Sequence, residues 1–102
     1  MGYDAKDRKT VALHLEAAVA GDQDAKDAVV LACVGLVNTL AGRWQGQGID
    51  HADLAQAGVF GVYAALERYN PAYKVTFFTY AIPWIARHVR EEAYVGRGHG
   101  TL

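Results

Sequence analysis

Aromatic rings and a cation share one face of the last helical stretch in this sequence. At about 100° per residue, the side chains of Phe77, Tyr80, Trp84 and Arg87 fall within a band roughly 80° wide. Such a face suits single-stranded nucleic acid, because bases stack on the rings at about 1–3 kcal/mol each and phosphates meet the cation. The alternative is that the rings cap a hydrophobic core, since aromatic residues at helical spacing usually belong to one. The pattern alone leaves both interpretations open.

The remaining polar residues do not form a set that could carry out enzyme chemistry. The four histidines belong to no HExxH or CxxC-like arrangement; they are His14, His51, His88 and His99. His88 and Glu92 lie one helical turn apart, but two ligands on one helix do not make a metal site. The sequence has no P-loop, no G-x-S-x-G and no Rossmann glycine fingerprint. We therefore expect no enzyme activity, no metal and no cofactor.

The composition indicates one compact domain. The chain has 102 residues, of which 52% are apolar, and its formal net charge is −1. Any contact with nucleic acid must therefore come from a local basic patch rather than from a general positive charge. The single cysteine, Cys33, excludes a disulfide framework and fits a reducing, cytoplasmic setting. No apolar run approaches the length of a membrane span, so we expect no membrane partner.

Apolar residues recur at helical spacing along the whole chain, and no strand pattern interrupts them. The sequence therefore predicts an all-α fold, a small bundle of about four helices. The expected helices are residues 7–20, a segment from the turn at 21–24 to about residue 44, residues 50–69, and a last helix that opens near residue 76. The expected organisation is an N-terminal helix and turn at 1–21, a helical domain at 22–95 and a flexible glycine-rich tail at 96–102.

Helix caps and core positions follow from the same pattern. The expected N-caps are Asp22 or Asp24, Asp50, and Thr76 or Thr79. The expected core is made of aliphatic residues on the inward faces, namely Leu36, Val37, Leu40, Leu54, Val62, Leu66, Ile85 and Val89. Gly58 and Gly61 weaken the third helix, so we expect another helix to approach it closely at these positions.

The order of several motifs resembles region 2 of the bacterial sigma-70 family of RNA polymerase sigma factors. The motifs are Leu36-Val37, Gln47-Gly48-Ile49, Asp53-Leu54-x-Gln56-x-Gly58-x-x-Gly61, Tyr69-x-Pro71 and Phe77-x-Thr79-Tyr80-Ala81. The resemblance covers about residues 28–90. The stretch Tyr80-Ala81-Ile82-Pro83 is most similar to the general-stress and sporulation branch, in which proline often stands at this position.

The resemblance implies that the third helix docks on the coiled-coil clamp helices of the β′ subunit of core RNA polymerase. The positions that match this contact are Asp53, Gln56, Val59 and Tyr63. Ala57 and Val59 stand where the family has glutamate and asparagine, so two polar groups are missing from the surface. Asp53 and Gln56 are expected to be at least partly exposed, because a partner must reach them.

The resemblance also implies that the fourth helix opens the promoter −10 element and captures its non-template strand as single-stranded DNA. Phe77, Thr79, Tyr80 and Trp84 match that surface by position, and the cations Lys74, Arg87 and Arg90 flank it. Phe78 and Val75 depart from the family pattern, which has serine and an aromatic residue there. The pair Glu91-Glu92 replaces a basic run and is expected to repel phosphate.

Several roles for the chain stay open at this point. A complete sigma factor also carries region 4, a helix-turn-helix that reads the −35 element, and the sequence contains no such segment. The chain is then part of a longer or truncated sigma factor, or one half of a split factor whose region 4 lies on a separate chain. A third interpretation is a degenerate relative that binds polymerase or an anti-sigma protein without starting transcription. The interpretation outside this family is a helical protein-interaction module with no nucleic-acid role. A salt-dependent binding assay on single-stranded −10 DNA separates it from the first two interpretations, because phosphate contacts must show a salt slope.

Overall fold

Five helices make up the part of the chain that the structure, a computed structural model, describes, which is residues 2–98. They are α1 (Ala5–Val19), α2 (Gln23–Ala32), α3 (Val34–Gly42), α4 (His51–Arg68) and α5 (Phe77–Gly98). The all-α class is confirmed. The number of helices is five rather than about four, because the segment expected to be one helix up to residue 44 is divided into α2 and α3.

The division between α2 and α3 lies at Cys33, where the two axes meet at 49°. The Cys33 N–H is shared between the carbonyls of Val29 and Val30, which tightens the last turn of α2 before α3 begins. Gly35 lies two residues after Cys33, and a Cβ at this position would overlap the Gly2 carbonyl. The N-terminal residues therefore pack against the bend. The apolar periodicity runs through it unchanged, which is why the sequence predicts a single helix.

Side-chain caps fix where the helices begin. The Asp22 side chain accepts a hydrogen bond from the Ala25 N–H at 2.9 Å, which selects Asp22 rather than Asp24 as the cap of α2. Asp50 caps α4 as expected. The Thr76 hydroxyl accepts from the Thr79 N–H at 3.2 Å, so Thr76 is the residue that opens α5.

The core lies between α4, α5 and the α2–α3 pair. All eight expected core residues are buried, which confirms that part of the prediction. Contacts from Asp27 to Tyr63 and from Asn38 to His51 show that α2–α3 runs antiparallel to α4. A Cβ on Gly61 would lie 2.7 Å from the Ile85 Cα, so α4 and α5 touch through their backbones there. The expected close approach at this glycine is confirmed.

Both ends of the described part of the chain add to the helical bundle. Helix α1 joins it, because Val11 and Ala18 are part of the same core. Tyr3 stacks on Phe78 with a centroid distance of 4.1 Å and an interplanar angle of 2°. Helix α5 continues through Gly98, three residues into the expected tail. The rest of that tail, residues 99–102, lies outside the described residues.

No single helix within residues 2–98 is both long enough and apolar enough to cross a membrane; α2 and α3 reach that measure only when they are taken together across their bend.

Candidate functional site

Four aromatic rings form a continuous cluster at the start of α5 and in the loop before it. Tyr80 lies 5.2 Å from Tyr69, 5.8 Å from Tyr73 and 6.4 Å from Trp84, measured between ring centroids. Tyr80 and Trp84 are half-buried, and Tyr73 is 48% exposed. The cluster therefore has a buried base at Tyr69 and an open side made of Tyr73, Tyr80 and Trp84. We call this open side the ring surface.

The loop that carries Tyr73 is held by local hydrogen bonds. The Asn70 side chain accepts from the Ala72 N–H at 2.9 Å, and the Asn70 carbonyl accepts from the Tyr73 N–H at 2.8 Å. The Tyr69 hydroxyl donates to the Val75 carbonyl at 2.6 Å and closes the loop onto the core. Tyr73 thus joins the ring surface through turn chemistry around Asn70-Pro71. The sequence analysis did not identify Tyr73, although an aromatic residue directly before Lys74, one of the expected DNA-contacting residues, could have indicated it.

Phe77 does not join the ring surface. It is 2% exposed, and its ring packs edge-on against Tyr69 at 5.4 Å and 85°. The physical reason is that the Phe77 side chain belongs to the core, where it packs against Tyr69 on the side of α5 that faces α1 across a shared concavity. The expectation that Phe77 presents its ring to DNA is not met in this structure. Thr79, two residues further on in the same turn, is exposed.

Cations border the ring surface on several sides. The Arg68 guanidinium lies 5.3 Å from the centroid of the Trp84 ring, a cation–π contact that sequence reasoning did not find. Lys74 and Arg90 are exposed. Arg87 Nε lies 3.1 Å from Glu91 Oε1, and both side chains are largely exposed. This ion pair is weak, because two exposed charges one turn apart are well screened by solvent.

The expected docking positions lie on the exposed side of α4. Asp53 and Gln56 are exposed, while Val59 and Tyr63 are half-buried. Phe60, which sequence reasoning missed, is 56% exposed on the same helix. The surface is therefore polar near the start of α4 and apolar one turn later.

A hydrogen-bonded group links this surface to α2. The Tyr63 hydroxyl donates to Asp27 Oδ1 at 2.8 Å, and Gln23 Nε2 donates to the same oxygen at 2.8 Å. The Tyr63 hydroxyl and then the Gln23 amide hold the pKa of Asp27 below its ordinary value, because both stabilise the charged carboxylate. The same bond raises the pKa of Tyr63, since the proton is shared with a negative group. Tyr63 therefore has its hydroxyl committed to the fold.

The two glutamates near the end of the described part of α5 have different surroundings. Glu91 pairs with Arg87 beside the ring surface. Glu92 is half-buried and lines an open concavity of about 370 Å³ together with Asp50 and Asp53 at the start of α4. Only Glu91 therefore lies where it can reduce the attraction of the ring surface for phosphate.

Within residues 2–98, no three His, Cys, Asp or Glu side chains come close enough together to hold a metal ion. His88 and Glu92, which lie one turn apart on α5, belong to no such group. The Nδ1 atom of His88 lies 2.9 Å from the Trp84 carbonyl oxygen in the preceding turn.

The comparisons with known proteins agree on one family. The family described as Sigma-70 region 2 matches residues 29–93, more than half of the chain. The RNA polymerase sigma factor SigA4 of Synechococcus elongatus is 37% identical over 70 residues, which cover 69% of this chain and 22% of that protein. The RNA polymerase sigma-F factor of Priestia megaterium is 33% identical over 79 residues, covering 74% and 31%, and that of Bacillus subtilis is 32% identical over the same length.

The chain thus spans less than a third of the length of the curated relatives that it matches. The matched residues include all of α3 and α4 and most of α5, which carry the ring surface and the expected docking positions. The chain therefore belongs to the sigma-70 region 2 family.

Proposed function

We propose that this chain acts in transcription initiation, docking on core RNA polymerase through α4 and capturing the unpaired non-template strand of the promoter −10 element on the ring surface. The single observation that carries the proposal is the cluster of the exposed Tyr73 ring and the half-buried Tyr80 and Trp84 rings, with the Arg68 cation over Trp84. Family membership supports the same role. The proposal implies action in the cytoplasm, where bacterial transcription takes place.

The ring surface supplies the energy that strand capture needs. Taking a base out of the duplex costs a few kcal/mol. Stacking an unpaired base on an aromatic side chain returns about 1–3 kcal/mol, and Tyr80 and Trp84 offer two rings whose centroids lie 6.4 Å apart. Because paired bases cannot reach these rings, the stabilisation applies only to the open strand.

The cations give the strand a place for its phosphates. Arg68 lies over the Trp84 ring, and Arg87 lies one turn beyond Trp84 on α5. Lys74 follows Tyr73 in the loop before α5. Trp84 and Arg87 also line a small concavity of about 140 Å³ with Pro83, next to the ring. A strand stacked on the ring surface would therefore have a cation on each flank.

The proposed docking surface combines charge with an apolar centre. Asp53 lies with two other carboxylates in one concavity, which favours a basic partner side chain. Gln56 offers a polar contact, and the exposed Phe60 ring offers an aromatic anchor of the kind that dominates interface energies. Phe60 lies between Val59 and Tyr63 along α4 and thus enlarges the apolar part of the docking surface.

Strand capture is tested with short oligonucleotides. The parent protein is expected to bind a non-template −10 strand more tightly than a scrambled strand of the same composition. Tyr80→Ala is expected to cost roughly 1–3 kcal/mol of that binding. Tyr94→Ala is the matched control, because Tyr94 is an exposed ring on the same helix that faces Trp44 instead of the ring surface. Equal affinity of the parent for both strands would rule out sequence-specific capture.

Docking is tested separately with core RNA polymerase and no DNA. Gln56→Ala is expected to weaken binding by about 1–2 kcal/mol, the usual scale for a polar interface contact. Ala57→Glu, which restores an acid next to it, is expected to strengthen binding. Gln45→Ala, on the exposed loop after α3, serves as the control. If neither α4 substitution changes the affinity, the partner of α4 is not the polymerase clamp.

A second function is favoured by the departures on these same surfaces. Val59 and Phe60 make the centre of the docking surface apolar, and Arg87 is already in an ion pair with Glu91. These features fit a sigma-like module that binds polymerase or an anti-sigma protein and contacts DNA weakly. Polymerase binding that depends on Gln56, combined with equal affinity for the two DNA strands, would favour this regulatory module over the first proposal.

A further inference from the structure

The concavity that α1 shares with the start of α5 has a volume of about 440 Å³. Tyr3 and the Tyr69 ring at the end of α4 complete its lining. We call it the α1–α5 concavity. Its volume lies within the range of about 300–1,000 Å³ that is usual for pockets that hold small molecules.

The interior of the α1–α5 concavity is apolar, and its open side is polar. Val11, Phe77 and Phe78 line it as buried side chains, and Leu15 is half-buried beside them. The residues of the lining that are exposed are Arg8, Ala12, Thr76 and Thr79. A ligand that fits this division has an apolar body and a polar end.

The polar end of such a ligand would meet Arg8, the cation of the lining. Within residues 2–98, no carboxylate lies at ion-pair distance from the Arg8 guanidinium. The two nearest acids in the sequence are engaged in the capping box of α1: Asp4 Oδ1 accepts from the Asp7 N–H at 2.9 Å, and Asp7 Oδ2 accepts from the Asp4 N–H at 3.1 Å. The planar fork of donors on Arg8 matches the two oxygens of a ligand carboxylate.

The groups of the lining that could read a nucleic-acid base are already engaged. The Thr76 and Thr79 hydroxyls bond to each other at 3.0 Å, and the Tyr69 hydroxyl donates to a backbone carbonyl. The Tyr3 and Phe78 rings present their faces to each other, so a base cannot stack between them. A strand of nucleic acid also needs a series of cations for its phosphates, and the lining supplies one. The contacts therefore favour a small ligand.

Half of the α1–α5 concavity is built from residues that do not belong to the family match. The match begins at residue 29, whereas Tyr3, Arg8 and the whole of α1 precede it. The segment that carries Tyr3 is held in place where Gly2 and Gly35 approach through their backbones, because neither position has room for a Cβ. The concavity is therefore a feature of this chain's own N-terminal residues.

We propose that the α1–α5 concavity binds a small amphipathic monocarboxylate, with its apolar body against Val11, Leu15 and Phe77 and its carboxylate on Arg8. One guanidinium balances one carboxylate. A phosphate monoester, which carries up to two negative charges, would leave a charge unpaired close to Asp4 and Asp7. The inference is independent of the proposed function, because the site uses neither the ring surface nor the docking surface.

Isothermal titration calorimetry with octanoate tests the site, and 1-octanol supplies the same apolar chain without the charge. The parent protein is expected to bind octanoate at a single site and more tightly than 1-octanol. Arg8→Gln keeps a polar side chain and removes the charge. It is expected to weaken octanoate binding roughly five- to tenfold and to leave 1-octanol binding unchanged. Lys9→Gln removes the next exposed charge along α1, outside the lining, and is the control that should bind as the parent does.

A second pair of variants tests the position of the ligand. Ala12→Phe places a ring in the concavity from an exposed position on α1 and is expected to abolish octanoate binding. Ala17→Phe is the matched control, because Ala17 is also an exposed alanine of α1 but does not line the concavity. Octanoate is expected to raise the thermal midpoint of the parent and of Ala17→Phe, and to leave that of Ala12→Phe unchanged. Circular dichroism checks that both variants fold, and the Arg8→Gln comparison decides alone if Ala12→Phe does not.

Four results would overturn the inference. The first is a parent protein that shows no saturable binding of octanoate. The second is equal affinity for octanoate and 1-octanol, or an Arg8→Gln variant that binds octanoate as the parent does. The third is a folded Ala12→Phe variant with unchanged octanoate binding, which would place the ligand elsewhere. The fourth is competition between octanoate and the unpaired −10 strand that Ala12→Phe removes, which would assign the concavity to DNA.

Discussion

Helices α4 and α5 touch through their backbones at Gly61, and a single carbon atom added there would force them apart. A Cβ there would lie 2.7 Å from the Ile85 Cα, 2.8 Å from the Trp84 carbonyl oxygen and 3.0 Å from the Ile85 nitrogen. All three are backbone atoms, so no side-chain rotation can make room. Because ordinary contacts begin at 3.4 Å, α4 and α5 must move apart by about 0.7 Å to accept the methyl group.

Gly61→Ala is therefore expected to destabilise the protein in spite of the better helix propensity of alanine. Overpacking a core typically costs about 1–3 kcal/mol. Replacing a glycine inside a helix gains up to about 1 kcal/mol. Because the clash is with backbone atoms, the upper part of the overpacking range applies, and the net loss is about 1–2 kcal/mol of unfolding free energy, which lowers the urea midpoint by roughly 1 M. Urea titrations followed by circular dichroism measure this change.

Gly42→Ala is the matched control for the same substitution in open space. No heavy atom lies within 4 Å of a Cβ built on Gly42, and its backbone conformation suits alanine. The control is expected to unfold at the same urea concentration as the parent or at a higher one. A Gly61→Ala variant as stable as the parent would show that α4 and α5 do not approach as closely as the structure has them, and the reasoning on their contact would fail.

Three further predictions concern single side chains. Glu91→Gln is expected to raise the affinity for the unpaired −10 strand severalfold, because it frees Arg87 for phosphate. Filter binding measures this affinity, and an equal gain in an Arg87→Gln background would refute the explanation. Tyr63→Phe is expected to lower the thermal midpoint at neutral pH. Because the folded pKa of Asp27 is depressed, this stabilisation is present above about pH 4 and fades as the pH falls through the folded value, so parent and variant midpoints should converge in acid. Burial raises the pKa of the Cys33 thiol to about 12, so a thiol reagent at about pH 8 should label the protein only in denaturant; rapid labelling of the native protein would contradict the burial.

The core and the helix caps were predictable because they follow from local rules. Apolar residues repeat with the period of a helix, and each of the eight positions chosen on that basis is buried. Asp50 and Thr76 sit where a side-chain oxygen can satisfy the first free N–H groups of a helix. Neither inference needs knowledge of distant residues. The same local signal fails at Cys33, because the bend depends on what packs against it and leaves the apolar period unbroken.

The ring surface was only partly predictable for the same reason. A helical projection places Phe77 with Tyr80 and Trp84, but the Phe77 ring packs into the core against Tyr69 at the end of α4, a contact that lies outside α5. Tyr73 and Arg68 enter the site from outside α5, one through a turn and one through the end of α4. A projection of one helix cannot include them. The residue types therefore indicated the chemistry, and the tertiary packing decided which of them take part.

Helix α4 connects the two proposed contacts without placing them in competition. Asp53 near its start and Arg68 at its end are fifteen positions apart, which corresponds to about 22 Å along the helix. A partner on the first turns of α4 therefore leaves the Trp84 ring and its Arg68 neighbour accessible. Because Gly61 lies between these ends and fixes α5 against α4, the distance from the docking surface to the ring surface is set by backbone contact and not by flexible side chains. Docking would then position the ring surface on the partner as one rigid unit, so the strand-capturing rings need no rearrangement of the helices once α4 is bound.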